Sequence, residues 1–319
     1  MTHLLHADNE WRYDPVDDAR SLVTRNRRIL PPLEVKVPAA ELRLRESSAC
    51  VFCTGTAPHP HDRIERLPGL AVSVVASPTP LGFVEHEPPP EENFETRGAL
   101  AAHELLVLEH ATAHATLGEW PEAALALLLE AMCRRRQDLA GDRRLSHLVM
   151  TMGDGTRTRF SHGHATLLTV PFPSRHAGER SCAVCADLED ARICGRIIVE
   201  HEHGVAWVPF APRSALHLRI GLKNHGLGPL DLGRAPATCR ALATTLADVL
   251  RPLMRLAPQA ALQLRMAPLP LVEGNGAARD HLLCELEVLF DVDDVLGAGL
   301  GVRVVTLAPE ELALRLRAG

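Results

Sequence analysis

The sequence predicts an α+β fold made by duplication: two antiparallel sheets, each carrying one main helix, packed as one body. Three observations lead there. The 319 residues are enough for two domains or for one domain with an internal repeat. Two Cys-x-x-Cys pairs, Cys50/Cys53 and Cys182/Cys185, each open a similar series of elements. In both series the hydrophobic pattern reads strand, strand, helix, strand, strand.

The first series starts with a loop rich in Pro and His, TGTAPHPHDR, and continues into the apolar strand LAVSVVA. A Pro-rich loop, the strand HELLVLE and a helix over about 119–138 follow. Pro121 falls in the first turn of that helix, where its missing N–H costs nothing. The strand HLVMTM, a Gly/Thr/Arg loop and the segment HATLLTVPF complete the half. The second series has a helix-like run, DLEDARICGRIIVE, then the strands GVAWVPF and LHLRIGL. A helix over about 236–256 and the strands ALQLRMAPL and HLLCELEVLF close it. The boundary falls near 173–180, giving halves of 1–175 and 176–319. The tail from Val302 reads as a short strand and a terminal helix.

A net charge of −6 argues against a nucleic-acid partner bound by phosphate neutralisation. No apolar run approaches the ~20 residues that span a bilayer. The opening MTHLLHADNEWRYDP has no basic n-region followed by an apolar h-region, so a cytoplasmic location is expected. In that compartment eight cysteines point to metal ligands or buried thiols rather than disulfides. Four are paired as above, while Cys133, Cys194, Cys239 and Cys284 stand alone. Seventeen histidines accompany them. A tetrahedral site needs two more ligands per pair. Candidates are His103, His110, His114, His162 and His164 in the first half, and His201, His203, His217, His225 and His281 in the second. Spacing does not choose among them, and either pair could be buried thiols.

Several segments resemble, in order along nearly the whole chain, the galactose-1-phosphate uridylyltransferase family of histidine-triad-like nucleotidyltransferases and phosphorylases. Trp11-Arg-Tyr-Asp-Pro15 with Arg25 and Arg28 is similar to that family's RxDP…RxxR start. Cys50-Val-Phe-Cys53-Thr-Gly resembles C-x-F-C-P-G, and His103-Glu-Leu-Leu-Val-Leu-Glu109 with His114 resembles H-E-V-I-V-E-x-x-x-H. His162-Gly163-His164 stands where the family keeps H-P-H. Val208-Pro-Phe-Ala-Pro-Arg213, Lys223-Asn-His225 and His281-Leu-Leu-Cys-Glu285 match the P-F-A-P-R, P-K-x-H and H-W-H-I-E elements.

The resemblance implies two zinc ions, one held by Cys50, Cys53, His114 and His162, the other by Cys182, Cys185, His225 and His281. Four protein ligands leave no open position, so both would be structural. It implies that His164 attacks the α-phosphorus of a nucleotide–sugar and carries the nucleotide as a covalent adduct, a step suited to a neutral imidazole. Arg25, Arg28, Arg157, Arg159, Ser161 and Thr166 would hold substrate, and family members are commonly homodimers. The chain also departs from the pattern. Thr166 replaces the Gln of H-P-H-x-Q, Thr151 replaces an Asn, Arg157 and Arg159 replace Gly and Ser, and Gly163 replaces Pro. A reactive His164 should lie at the floor of a cleft near Arg157 or Arg159, whereas a His164 that is buried or bonded to a core partner would speak against a nucleophile.

The expected function is therefore nucleotidyl transfer or phosphorolysis on a nucleotide–sugar or another phosphorylated small molecule, in a specialised pathway. The alternative is a zinc scaffold without nucleotidyl transfer that binds or converts another anionic small molecule. A third reading is hydrolysis of dinucleoside polyphosphates. His59-Pro60-His61 is read as loop chemistry or an extra metal contact. Glu285 is read as a supporting partner for His281, and the second half, with Leu283 where a second His would stand, as structural.

Overall fold

The computed structural model describes residues 9–24, 50–87, 98–153, 160, 162–171, 182–223, 236–258, 260–271, 281–288 and 303–318. The expected boundary at 175/176 lies outside them. Among the described residues no helix is long and apolar enough to cross a membrane.

The first half contributes five antiparallel strands: β3 (Asp62–Leu67), β4 (Leu70–Ala76), β5 (His103–Glu109), β6 (His147–Gly153) and β7 (His164–Val170). Helix α1 (Glu122–Leu139) separates β5 from β6. The second half repeats the plan. Helix α2 (Ala183–Ile193) precedes β8 (Ile197–Glu200), β9 (Gly204–Trp207) and β10 (His217–Leu222). Helix α3 (Pro236–Leu256) leads to β11 (Leu262–Pro270) and β12 (Leu283–Val288). The two expected sheets are present, and β6 and β11 pair antiparallel to join them in the order β3-β4-β5-β7-β6-β11-β12-β10-β9-β8. The order reads alike from either edge, as a duplication requires.

Alternation along the strands sorts the side chains. Val72, Val74, Leu106, Leu108, Met150, Met152, Ala165, Leu167, Leu218, Ile220, Leu262, Leu264, Met266 and Leu286 all join one apolar core with α1 and α3. That core crosses the junction, so the halves form one body. The residues between them in sequence face the other side, where the site lies.

Three sequence expectations change. Asp62–Leu67 is a strand rather than loop, because β3 is an outer strand whose mostly polar, exposed residues carry no apolar pattern. The run DLEDARICGRIIVE divides into a helix ending at Ile193 and the strand β8. Gly195, at φ 71°, makes the break by taking a left-handed conformation that side chains resist. A small third sheet also appears. In it β1 (Asn9–Asp14) pairs antiparallel with β2 (Ala19–Thr24), and β13 (Arg303–Val305), just before α4 (Pro309–Ala318), pairs parallel with β2.

A buried ion network fastens that sheet to the second half. Arg219 is fully buried and holds Asp14 through both carboxylate oxygens (2.5 and 3.1 Å) and Asp187 at 2.9 Å. Asp187 also accepts from Trp207 Nε1 at 2.7 Å. Glu285 pairs with Arg213 at 2.6 Å, with Arg219 at 3.4 Å and with Arg265. Burial alone would raise the Glu285 carboxyl, but the attraction of His217, Arg213 and Arg219 outweighs it and holds the group well below the usual carboxylate range. Glu285 thus belongs to this network and not to His281. Replacing it with Gln should cost about 3–5 kcal/mol at pH 7, as loss of one partner from a buried pair does. A depressed folded-state pKa adds stability above the ordinary value of 4.5 and loses it as pH falls further. Urea midpoints of wild type and Glu285→Gln should therefore converge below about pH 4.5 and stay apart at pH 7.

Candidate metal and phosphate site

Two Cys/His clusters occupy equivalent places in the halves. In the first, Cys50 and Cys53 come from the turn before β3, His114 from the loop after β5, and His162 from two residues before β7. His162 Nδ1 lies 3.5 Å from both Cys50 Sγ and Cys53 Sγ, and His114 Nε2 lies 3.2 Å from Cys53 Sγ. A tetrahedral ion ~2.3 Å from sulfur and ~2.0 Å from nitrogen spaces its donors by roughly 3.3–3.8 Å. The four groups fit that spacing. His162 Nε2–H donates to the Leu108 carbonyl at 2.7 Å, which leaves the Nδ1 lone pair for a metal.

The second cluster holds Cys182, Cys185 and His281. His281 Nδ1 is 3.3 Å from Cys185 Sγ and 3.9 Å from Cys182 Sγ, and its Nε2–H donates to the Leu222 carbonyl. Leu222 ends β10 as Leu108 nears the end of β5, so the same device serves both halves. Cys182 caps α2, its sulfur accepting the Cys185 N–H at 3.4 Å. His225, the expected fourth ligand, lies outside the described residues, as do Arg25, Arg28, Arg157, Arg159 and Ser161.

The other histidines find other partners. His103 Nδ1 accepts from the Leu81 N–H, His201 pairs with Asp248, and His61 of the H-P-H loop approaches Glu104 at 3.4 Å. A third group, His217, Glu285 and Glu287, also has metal-like spacing. His217 Nδ1, however, accepts the Arg213 backbone N–H at 3.1 Å, so Nε2 carries the proton and turns it toward the two carboxylates, 3.6 and 3.8 Å away. In that tautomer the ring has no lone pair left to offer a cation.

His164 begins β7, and its Nδ1–H donates to the His162 carbonyl at 2.7 Å. This fixes the tautomer with the lone pair on Nε2, which has no hydrogen-bond partner among the described residues. The ring is 4% exposed. Phe160 and Phe52 cover it at centroid distances of 5.8 and 6.4 Å, continuous with Val75, Leu105 and Val107. Burial lowers the imidazole pKa, against the hydrogen bond to His162, and so favours the neutral form. Phe52 stands between Cys50 and Cys53, so the first cluster places it over the histidine. Thr166 follows on the same face, half-buried and paired across the strands with Thr151.

The glycine at 163 is required sterically. Its N–H donates to the Ala113 carbonyl at 2.5 Å, and a Cβ there would sit 2.5 Å from Trp120 Cζ2. Proline would lose the bond and strike the indole.

The fold and clusters define a duplicated α+β protein built around two cysteine/histidine clusters. Known structures share this architecture. A galt-like protein from Arabidopsis thaliana aligns with TM-score 0.75 and 18% identity over 98% of this chain and 99% of that one. An ADP-glucose phosphorylase from Arabidopsis thaliana with bound ADP-glucose aligns at 0.76 and 16%, over 98% and 99%. A uridylyltransferase aligns at 0.67 and 19%, over 97% and 98%. No protein-family model matches the chain, and no curated protein matches it by sequence. The similarity is one of fold.

Elemental analysis of purified protein should find two metal ions per chain. Cys53→Ser should lose the one held by the first cluster, Cys185→Ser the other, and chelation should lower the melting temperature. Gly163→Ala should lower stability by about 1–3 kcal/mol through overpacking against Trp120, measured by denaturant unfolding.

Proposed function

We propose that this chain is a divergent member of the galactose-1-phosphate uridylyltransferase family, a cytoplasmic homodimer with two structural zinc ions. It transfers a nucleotide through a covalent adduct on His164, in a specialised pathway. The observation that carries the reading is the geometry of His162-Gly163-His164. One imidazole is committed to a Cys/His cluster, while the next is oriented by a backbone carbonyl and kept toward the neutral form by burial, its Nε2 without a partner among the described residues. In the reaction the Nε2 lone pair forms the N–P bond to the α-phosphorus. The bond from that phosphorus to the bridging oxygen breaks, and its electron pair leaves with the sugar phosphate. A phosphate-bearing acceptor then takes the nucleotide and regenerates the imidazole. Arg25, Arg28, Arg157, Arg159, Ser161 and Thr166 supply the oxyanion contacts. Val75, Val107 and Phe52 offer an apolar wall suited to a nucleobase. Substrate entry requires the Phe52 or Phe160 side chain to move aside.

The burial of His164 favours a second reading, in which the scaffold binds or converts another anionic small molecule without an adduct. Intact-protein mass spectrometry separates the two. After incubation with ADP-glucose, UDP-glucose and other nucleotide–sugars, wild type should gain one nucleoside monophosphate and His164→Ala none. No adduct on zinc-loaded wild type, and no released monophosphate in the same tubes, would select the second reading.

A further inference from the structure

Cys133 and Cys239 stand alone in the sequence, but the fold brings them together. Cys133 lies in the second half of α1 and Cys239 in the first turn of α3. Their sulfurs are 3.7 Å apart across 106 residues of chain, one thiol from each half of the protein, and both side chains are buried in the shared core. The other two cysteines outside the Cys/His clusters are placed differently. Cys194 turns to the Asp190 carboxylate, and Cys284 sits in the core, where burial pushes its thiol up to about 12.

Two further contacts fix the helix crossing that sets the distance between the sulfurs. Thr244 Oγ1 of α3 donates to Glu122 Oε1 at the start of α1, at 2.6 Å, and Gly118, just ahead of α1, abuts Met254 near the end of α3. The helices therefore pass each other antiparallel, with the sulfur contact farther along α1. A disulfide bond is ~2.05 Å long, so closing it asks each sulfur to move by about 0.8 Å, within the reach of a small side-chain rotation.

The two thiols are also chemically unequal. Cys133 S–H donates to the Cys239 sulfur; that bond, reinforced by burial, raises the Cys133 thiol, and it lowers the Cys239 thiol against the cost of burial. The free N–H groups of the first turn of α3 favour the same thiolate. Ala237 and Arg240, close to Cys239 on that turn, are exposed, so a small oxidant approaches its sulfur from the helix start, where helices open most readily.

We propose that Cys133 and Cys239 form an oxidation site, at which hydrogen peroxide makes a disulfide that staples the two halves of the protein together through their main helices. The inference is independent of nucleotidyl transfer. The Cys239 thiolate attacks one peroxide oxygen. The O–O bond breaks, the leaving oxygen takes the proton given up by that thiol and departs as water, and the sulfur becomes a sulfenic acid. Cys133 sulfur then attacks it, the S–O bond breaks, and the second oxygen leaves as water with the Cys133 proton. Two thiols and one peroxide thus give one disulfide and two waters, the sulfurs losing two electrons to the peroxide. A cytosolic disulfide of this kind is a transient, redox-sensing bond.

The test is to treat the metal-loaded full chain with a few equivalents of hydrogen peroxide, alkylate it during denaturation and digest it with trypsin. Wild type should yield the peptide of residues 98–134 joined to that of residues 235–240, two hydrogens lighter than their sum and separated by dithiothreitol, with the metal content unchanged. Cys133→Ala should form no link and should leave on Cys239 a sulfenic acid that dimedone traps. Oxidation should raise the melting temperature of wild type by about 5 °C or more, as closing a long loop does, and that of Cys133→Ala not at all. Recovery of Cys133 and Cys239 as alkylated thiols from oxidised wild type overturns the proposal. So does a link that forms only after the metal has been lost, or one that lowers the melting temperature. Wild type alone decides these outcomes, so they stand even where a variant folds poorly.

Discussion

Strand alternation under a shared apolar layer governs the rest of this molecule. Helices α1 and α3 bury alternate residues of both halves in one core, and each residue so committed sends its neighbour to the opposite face. A one-residue slip in β7 would turn His164 under the helices, and one in β12 would do the same to Glu285, each exposing a Leu in exchange. The register of the polar face is thus fixed by hydrophobic burial on the other side. Chemistry on that face inherits a precision that it does not have to supply.

The same logic explains why the halves have diverged on one face and not the other. The core sides of β7 and β12 are both small-to-large apolar pairs, Ala165/Leu167 and Cys284/Leu286. On the polar side, His164 and Thr166 correspond in strand position to Leu283 and Glu285. The first half keeps an imidazole whose Nε2 has no hydrogen-bond partner among the described residues. The second has turned the equivalent surface into a charge network that anchors β1 and β2 through Asp14 and Arg219. The Arg-x-Asp-Pro and Pro-Phe-Ala-Pro-Arg segments, far apart in sequence, meet in that network.

Much of this was legible beforehand because it depends on short-range pattern. The Cys-x-x-Cys pairs, the helix over 236–256 and the strand after His162-Gly163-His164 announce themselves by spacing. His114 could be chosen over His103 and His110 only through resemblance, since a metal site is closed by tertiary geometry. The strand β3 escaped because DRIERL, on the sheet's outer edge, has no buried face to impose a period. Joining the sheets through β6 and β11 was equally invisible: edge pairing uses backbone groups that every residue carries.

The contact between Gly163 and Trp120 has an evolutionary consequence. With tryptophan at 120, any Cβ at 163 forces the indole to shift, and a smaller residue at 120 would relieve that strain. Either single change passes through a collision, so the two positions are expected to change together or in a set order. The identity at one position should therefore forecast the identity at the other.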